Sequence, residues 1–276
     1  MPWVPELFSA RVLARFEAKQ QQKVVAVPYF DGLVAGEVEA LIDSFAGEPK
    51  IHHPLRGEVR GETAFREFVA DTERWLRRSE ARVEDLQRSV LDRRGFEEVI
   101  VHLEDDGRRL DLPHAMVADH SPEGRIEEIR IYFGTRPLTG HPTVRAPLLR
   151  ADADLRQPPQ VAAYGRALTA GDAGSVAAAF ADDASAREPG GAGCVHVGRD
   201  QIRSFYAGQL DAGGIELEPC VLVEDGATCA LEYNVSSGDA TGAAGKRAGF
   251  SVFVLGDQER ISRVRIYEEL AVGAAT

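Results

Sequence analysis

The chain has 276 residues, of which 44 are acidic and 32 basic, for a net charge of −12. Hydrophobic residues make up 44% and charged residues 28%, a globular balance that excludes a disordered or fibrous chain. The negative charge argues against a nucleic-acid partner, and with no run of about 18 apolar residues no membrane span is expected.

Residues 1–22 come first. Leu7, Phe8, Val12, Leu13 and Phe16 recur at helical spacing after Pro5, which predicts an amphipathic helix. Its polar positions carry both signs of charge, so it is expected to pack on protein and not on a membrane. Glu6, Arg11 and Arg15 interrupt any apolar stretch. No signal peptide is read there, and the expected location is cytoplasmic.

A helical pattern then spans 23–36 and a shorter one 37–46. A strand follows at Ile51–His53, a glycine turn, and a third helix over 62–78. Strands are predicted near 82–92, 96–105, 109–119 and 125–133. Residues 137–159 hold five prolines without clean periodicity and read as a linker. The same succession then starts again. Helices are predicted over 160–170 and 172–181, a strand over Ala184–Glu188, and a helix over 199–210. Strands follow near 215–224, 227–236, 246–255 and 261–269. Cys194, Cys220 and Cys229 are odd in number and lack CxxC spacing, so they read as buried thiols and not as a disulfide framework or zinc site.

The recurrence is visible residue by residue. Ile126, Arg130, Ile131 and Tyr132 recur as Ile261, Arg265, Ile266 and Tyr267, an offset of 135 residues. The same offset carries Tyr29 onto Tyr164, Gly36 onto Gly171, Phe45 onto Phe180 and Pro54 onto Pro189. Two copies of one domain are therefore expected, over 23–136 and 160–271. Helices followed by hairpin-connected strands give an α+β class, with helices packed on one face of an antiparallel sheet.

The second copy, VAAYGRALTAGDAGSVAAAFADDASAREP, resembles the opening of the ketosteroid isomerases and of the wider NTF2-like, SnoaL-like superfamily. Its Gly198–Ile202 helix start and its closing strand fit the same pattern. The first copy is similar more loosely, through AGEVEALIDSF, IHHP, GETAFREF and GRIEEIRIYFG. The resemblance implies two tandem cone-shaped domains, each with helices on a curved antiparallel sheet. It also implies an apolar cavity that hosts acid–base chemistry without a cofactor. Ketosteroid isomerase itself pairs an aspartate base with a tyrosine and a protonated aspartate. The family's base position, just before a proline on the first strand, falls on Glu188 in the second copy and on His53 in the first. The family's tyrosine falls on Tyr164 and Tyr29. The oxyanion position falls near Ser251, and on His114 or Met116; neither copy has a carboxyl there.

Strand parity supplies an independent view. Leu110, Leu112, His114 and Met116 share one face, an apolar stripe with one imidazole in it. Such a His is either a buried core residue bonded to a carbonyl or a base, acid or oxyanion donor near neutrality. Arg109 and Asp111 face the other way. Trp75 is a candidate cavity wall or plain core. His102, Tyr132 and Glu232 complete the candidate ligand contacts; parity leaves open whether Glu232 faces solvent or cavity. No His-x-His spacing supports a metal site, and neither metal nor cofactor is expected.

The expected function is cyclisation, isomerisation, dehydration or epoxide opening of a small, mostly apolar molecule, with a polyketide-type substrate as one option. The first copy is the favoured catalytic one, because it carries His53, His102 and His114. A non-catalytic ligand-binding or scaffold protein is the alternative. A monomer whose two sheets pair as an internal pseudo-dimer is expected, with a homodimer as the other arrangement.

Overall fold

The computed structural model describes residues 38–91, 93–105, 107–237 and 245–267. The helices expected over 1–22 and 23–36, and with them Tyr29, lie outside the described residues.

The first unit opens with α1 (Val38–Asp43), then β1 (Lys50–His53) and β2 (Gly57–Arg60) as a hairpin. Helix α2 (Glu62–Arg78) follows, and then β3 (Arg82–Leu91), β4 (Arg94–Asp105), β5 (Arg108–His120) and β6 (Ile126–Tyr132). A short α3 (Arg136–Thr139) falls inside the expected linker. The second unit has α4 (Pro159–Thr169), α5 (Ala173–Ala178), β7 (Phe180–Arg187), β8 (Val195–Val197) and α6 (Arg199–Gln209). It closes with β9 (Ile215–Glu224), β10 (Thr228–Ser237), β11 (Arg247–Leu255) and β12 (Ile261–Ile266).

The two sheets have the same order, β2-β1-β6-β5-β4-β3 and β8-β7-β12-β11-β10-β9. In each, the first strand lies parallel to the last and the other neighbours are antiparallel. This is the tandem of two α+β units that the repeat predicts. Two strands escaped the sequence pattern, β2 and β8. Each has three or four residues, too few for an alternation to register. Phe180 was expected to end a helix and instead starts β7.

Helix α2 shows how the units are built. Phe65, Phe68, Val69 and Leu76 are buried along one stripe, the spacing of a helix lying on a sheet. Arg77 and Arg78 sit in its last turn, where cations suit the helix dipole. Its N-cap, Gly61, has φ +88°, and the N-cap of α6, Gly198, has φ +79°. Only glycine adopts that backbone without strain, so both copies keep the same turn by the same means.

Each sheet buries both faces. Along β5, Leu112, Met116 and Ala118 enter the core beneath α2, while Ala115 and Val117 face the other unit. The between-unit cluster joins Phe96, Tyr132, Val223, Phe250, Val252 and Tyr267, and Tyr132 stacks on Phe250 with ring centroids 5.2 Å apart. Two charged clamps cross this apolar layer. Arg130 donates through Nε and Nη2 to Glu232 at 2.6 and 2.9 Å, and Tyr132 donates to the same carboxylate at 2.6 Å. Its counterpart is Arg265 on Glu98, with a Nε bond of 2.7 Å, assisted by Tyr267 at 2.5 Å. Burial, and then the neighbouring carboxylate, push both phenols up, so they remain donors. A register shift in each edge strand lies beside the clamp, between Asp85 and Gln87 and opposite Glu232/Tyr233. Such bulges bend a strand and sharpen its twist.

The stretch between the units is anchored. The Leu149 carbonyl accepts from Asn234 Nδ2 at 3.1 Å, and Asp152 N donates to the Pro219 carbonyl at 2.8 Å. Among the described residues no helix is long and apolar enough to cross a membrane.

Candidate functional site

A cavity of about 510 Å³ opens in the first unit between α2, the end of β1, β5 and α3. Phe68, Leu76, Val101, Ile131, Phe133 and Leu138 form its apolar wall. Arg56, Asp71 and Arg74 line it too and are linked to one another, with Arg56 on Asp71 at 2.5 Å and Arg74 on Asp71 at 3.0 Å. Trp75 lines the same space from α2. The volume suits a small organic molecule.

Two imidazoles meet in this cavity. His53 ends β1, and its ring lies 5.3 Å from both Phe68 and Phe133, edge to face. His114 comes from β5, and its ring lies 4.3 Å from Phe133. Phe133 thus holds the two rings in place. It is the residue after β6, and its role carries no sequence signal beyond a hydrophobic strand end.

The backbone fixes the tautomers. His53 Nδ1 lies 3.2 Å from Leu55 N and 3.3 Å from Arg56 N. Amide N–H groups can only donate, so this Nδ1 is unprotonated and the ring proton sits on Nε2. His114 Nδ1 lies 3.1 Å from the Leu112 carbonyl. A carbonyl can only accept, so this Nδ1 carries the proton and Nε2 is the basic nitrogen. The two rings therefore present opposite chemistry, one a donor and one a lone pair. Both stay neutral at pH 7. Burial first, then His114 once it takes a proton in acid, and the cations Arg145 and Arg56 push His53 down to about 3. Burial pushes His114 down to about 4, against the Leu112 bond.

The other expected site residues are placed elsewhere. Met116 is fully buried in the core cluster below the cavity. His102 is on the far side of the sheet, bonded through Nδ1 to Asp111 at 2.7 Å and through Nε2 to Glu84 at 2.9 Å. Those two partners hold its pKa above the usual imidazole value, Asp111 first. Tyr132 and Glu232 belong to the clamp between the units and do not line this cavity. Parity offered solvent or cavity for Glu232; the second sheet is what it meets.

In the second unit the expected pair has separate partners. Tyr164 is buried against Phe180, Tyr206 and Phe253, and its hydroxyl bonds to Tyr206 at 2.8 Å. Glu188 is half-buried and takes His196 Nε2 at 2.5 Å. Ser251 is buried and bonds to Tyr233 at 2.7 Å. An opening of about 320 Å³ lies beside Tyr164, Leu231 and Phe253. Among the described residues that line it there is no histidine or carboxylate. The described residues hold no group of three or more potential metal ligands.

The SnoaL-like domain family matches residues 161–264. The match falls within the second unit, and the first unit shares that unit's strand order. Similar solved structures each cover about two fifths of this chain. A candidate polyketide cyclase from Xanthomonas campestris pv. campestris is 27% identical, over 40% of this chain and 88% of that one, with a TM-score of 0.35. A candidate polyketide cyclase from Sinorhizobium meliloti is 24% identical, over 40% and 94%, at 0.34. A protein of ketosteroid isomerase-like fold from Catenulispora acidiphila, in complex with trimethylamine, is 21% identical, over 42% and 90%, at 0.35. No curated protein matches the chain.

Proposed function

We propose that the first unit is a cofactor-independent acid–base enzyme acting on a small, mostly apolar carbonyl compound. The observation that carries this reading is the pair of neutral imidazoles with opposite tautomers in one cavity. His114 Nε2 takes a proton from carbon next to the carbonyl. His53 Nε2–H donates to the oxygen on which charge develops. The proton then returns from His114 to the substrate at another position, or the enolate expels a β-hydroxyl that takes this proton and leaves as water, or the enolate carbon attacks a second electrophilic carbon of the same molecule to close a ring. Isomerisation, dehydration and cyclisation share this first step. The apolar wall excludes water from the reacting centre and strengthens both contacts. The charged residues Arg56, Asp71 and Arg74 suit a substrate with one polar end.

The roles differ from those implied by the family resemblance, which sets the base at position 53. The two amides on Nδ1 make His53 the donor, and His114 is the base. The SnoaL-like family of the second unit supports the class of chemistry. In our reading the second unit itself is a packed partner, since Tyr164 and Glu188 are engaged apart from each other.

The test is exchange of α-protons for deuterium in D₂O, read by NMR on a panel of apolar cyclic ketones. Wild type is expected to catalyse exchange. His114→Ala is expected to abolish it and Glu188→Gln to leave it intact. Exchange that survives His114→Ala, or is lost in Glu188→Gln, overturns the assignment.

A further inference from the structure

Strand β6 is shorter than its neighbour. Its last pair with β5 is Tyr132 with Ala115, while β5 begins at Arg108. The stretch from Arg108 to His114 therefore has β4 on one side and, among the described residues, no strand on the other. It carries His114 and the Leu112 carbonyl that fixes the tautomer of that ring. The second unit reaches this open edge. Ala192, in the loop between β7 and β8, donates its N–H to the Asp111 carbonyl at 3.0 Å. The loop is itself closed by backbone bonds, from Glu188 N to the Cys194 carbonyl at 2.9 Å and from Cys194 N to the Gly191 carbonyl at 3.1 Å.

The same loop meets another wall of the cavity. Pro189 packs on Gly134, the residue after Phe133. A Cβ at Gly134 would lie 2.5 Å from the Pro189 carbonyl oxygen and 3.1 Å from its carbon, so only glycine lets the two backbones come this close. Phe133 is the ring that both histidines touch. The approach is reciprocal, as the repeat would have it. Pro54, the counterpart of Pro189 and the residue after His53, borders a small void with Val235, Arg247 and Tyr267 of the second unit. Arg145 adds a further tie. Its carbonyl accepts from Ala248 N at 3.0 Å, and its Nη1 donates at 2.5 Å to the carbonyl of Ile131, a residue of the cavity wall.

We propose that the β7–β8 loop of the second unit is a positioning element for the acid–base pair of the first, with Ala192 holding the open edge of β5 that bears His114 and Pro189 seating Phe133 through Gly134. The inference rests on the acid–base reading. It gives the second unit a part in the reaction without a second active site. A base and a donor cooperate only while their nitrogens face one reacting group, and a displacement of about 1 Å can cost about 10²-fold in rate. A strand edge without a neighbour is prone to local opening. The Ala192 bond restrains that edge at the residue next to Leu112.

The test uses the full chain. Gly134→Ala forces the Pro189 carbonyl and the end of β6 apart. Gly193→Ala is its control, since Gly193 lies in the same loop and a Cβ there meets nothing within 4 Å. Gly134→Ala is expected to move the imidazole ¹⁵N signals of His53 and His114 and to leave those of His120, at the other end of β5, in place. It is expected to lower kcat for α-proton exchange by about tenfold or more, with KM within a few-fold. Gly193→Ala is expected to match wild type in both. A general loss of stability would lower Tm without selecting these two rings. In wild type, the Ala192 amide is expected to exchange at least about a hundredfold slower than a free amide, which tests the β5 contact should Gly134→Ala fold poorly. Unmoved His53 and His114 signals in Gly134→Ala, equal shifts in Gly193→Ala, or an Ala192 amide exchanging at the free rate overturns the proposal. Absence of α-proton exchange in wild type overturns the acid–base reading instead, and is seen before any variant is compared.

Discussion

Arg130 of the first unit grips Glu232 of the second through two guanidinium nitrogens, at 2.6 and 2.9 Å, and Arg265 grips Glu98 in return. Four of the chain's charges are thereby buried between the two sheets. The clamps obey the repeat: Arg130 and Arg265 are the same position in the two copies, as are Tyr132 and Tyr267. A sheet-to-sheet contact of this kind is self-complementary, as between two copies related by a two-fold axis.

The two clamps differ in what remains when one partner is removed: Arg130 also holds Asp119 at 2.7 Å and Glu128 at 2.9 Å, whereas the carboxylate on Arg265 is Glu98. Glu98→Gln is expected to cost about 3–5 kcal/mol of stability, measured by urea unfolding. Glu232→Gln is expected to cost less, because Arg130 keeps two carboxylates. Replacing Arg265 and Glu98 together by apolar residues of similar size should recover much of the loss. A loss below about 1 kcal/mol for Glu98→Gln would mean that its pair is not buried in solution.

Among the described residues, the sheet face that could pair with a second chain is already covered by the other unit's sheet. Light scattering is expected to give the mass of one chain at all concentrations. Twice that mass would place a further interface outside the one described.

Acid stability should report the two cavity histidines. Both have native pKa values below the usual 6.5, at about 3 for His53 and about 4 for His114. Below pH 6.5 the unfolded chain binds protons that the folded chain refuses, so stability is full above that value and falls as pH drops. The loss stops only when the folded rings protonate, near pH 4 and then near pH 3. Replacing His114 by Asn is expected to flatten the fall between pH 6.5 and 4, read from urea midpoints. An unchanged slope would show that His114 is not held neutral.

Activity and stability should separate in the first unit. His53→Ala and His114→Ala are expected to lower turnover by about 10²–10⁴-fold. Trp75→Phe should leave turnover within a few-fold and remove the fluorescence quenching that a ligand causes. Loss of turnover in His102→Ala by a comparable factor would contradict the placement of that residue on the far face of the sheet.

Much of this fold was legible because it is written twice. The recurring Arg-Ile-Tyr of Arg130–Tyr132 and Arg265–Tyr267 fixed the repeat, and period-two alternation found the long strands. The parity of Leu112, His114 and Met116 was also legible, since side chains alternate across a sheet whatever covers it. What covers the reverse face was not. Glu98 and Glu232 look like solvent-facing residues on a strand until a second sheet is brought against them. The repeat did hold one unused hint: an arginine between two β-branched aliphatic residues at the same place in both copies is a poor choice for a core unless it has a carboxylate to meet. The division of labour between His53 and His114 depends on single amide and carbonyl contacts of Leu55, Arg56 and Leu112. Backbone geometry of that kind has no residue signature. Arg145 escaped notice for a similar reason, lying in a proline-rich stretch that reads as a connection.

The most direct test of the acid–base pair needs no substrate. In a ¹⁵N-labelled sample at pH 7, long-range ¹H–¹⁵N correlation assigns the protonated nitrogen of each imidazole. His114 is expected as the neutral Nδ1–H form and His53 as the neutral Nε2–H form, each assigned by its absence in the corresponding variant. Two rings in the same tautomer, or either ring charged at that pH, would contradict the assignment of base and donor.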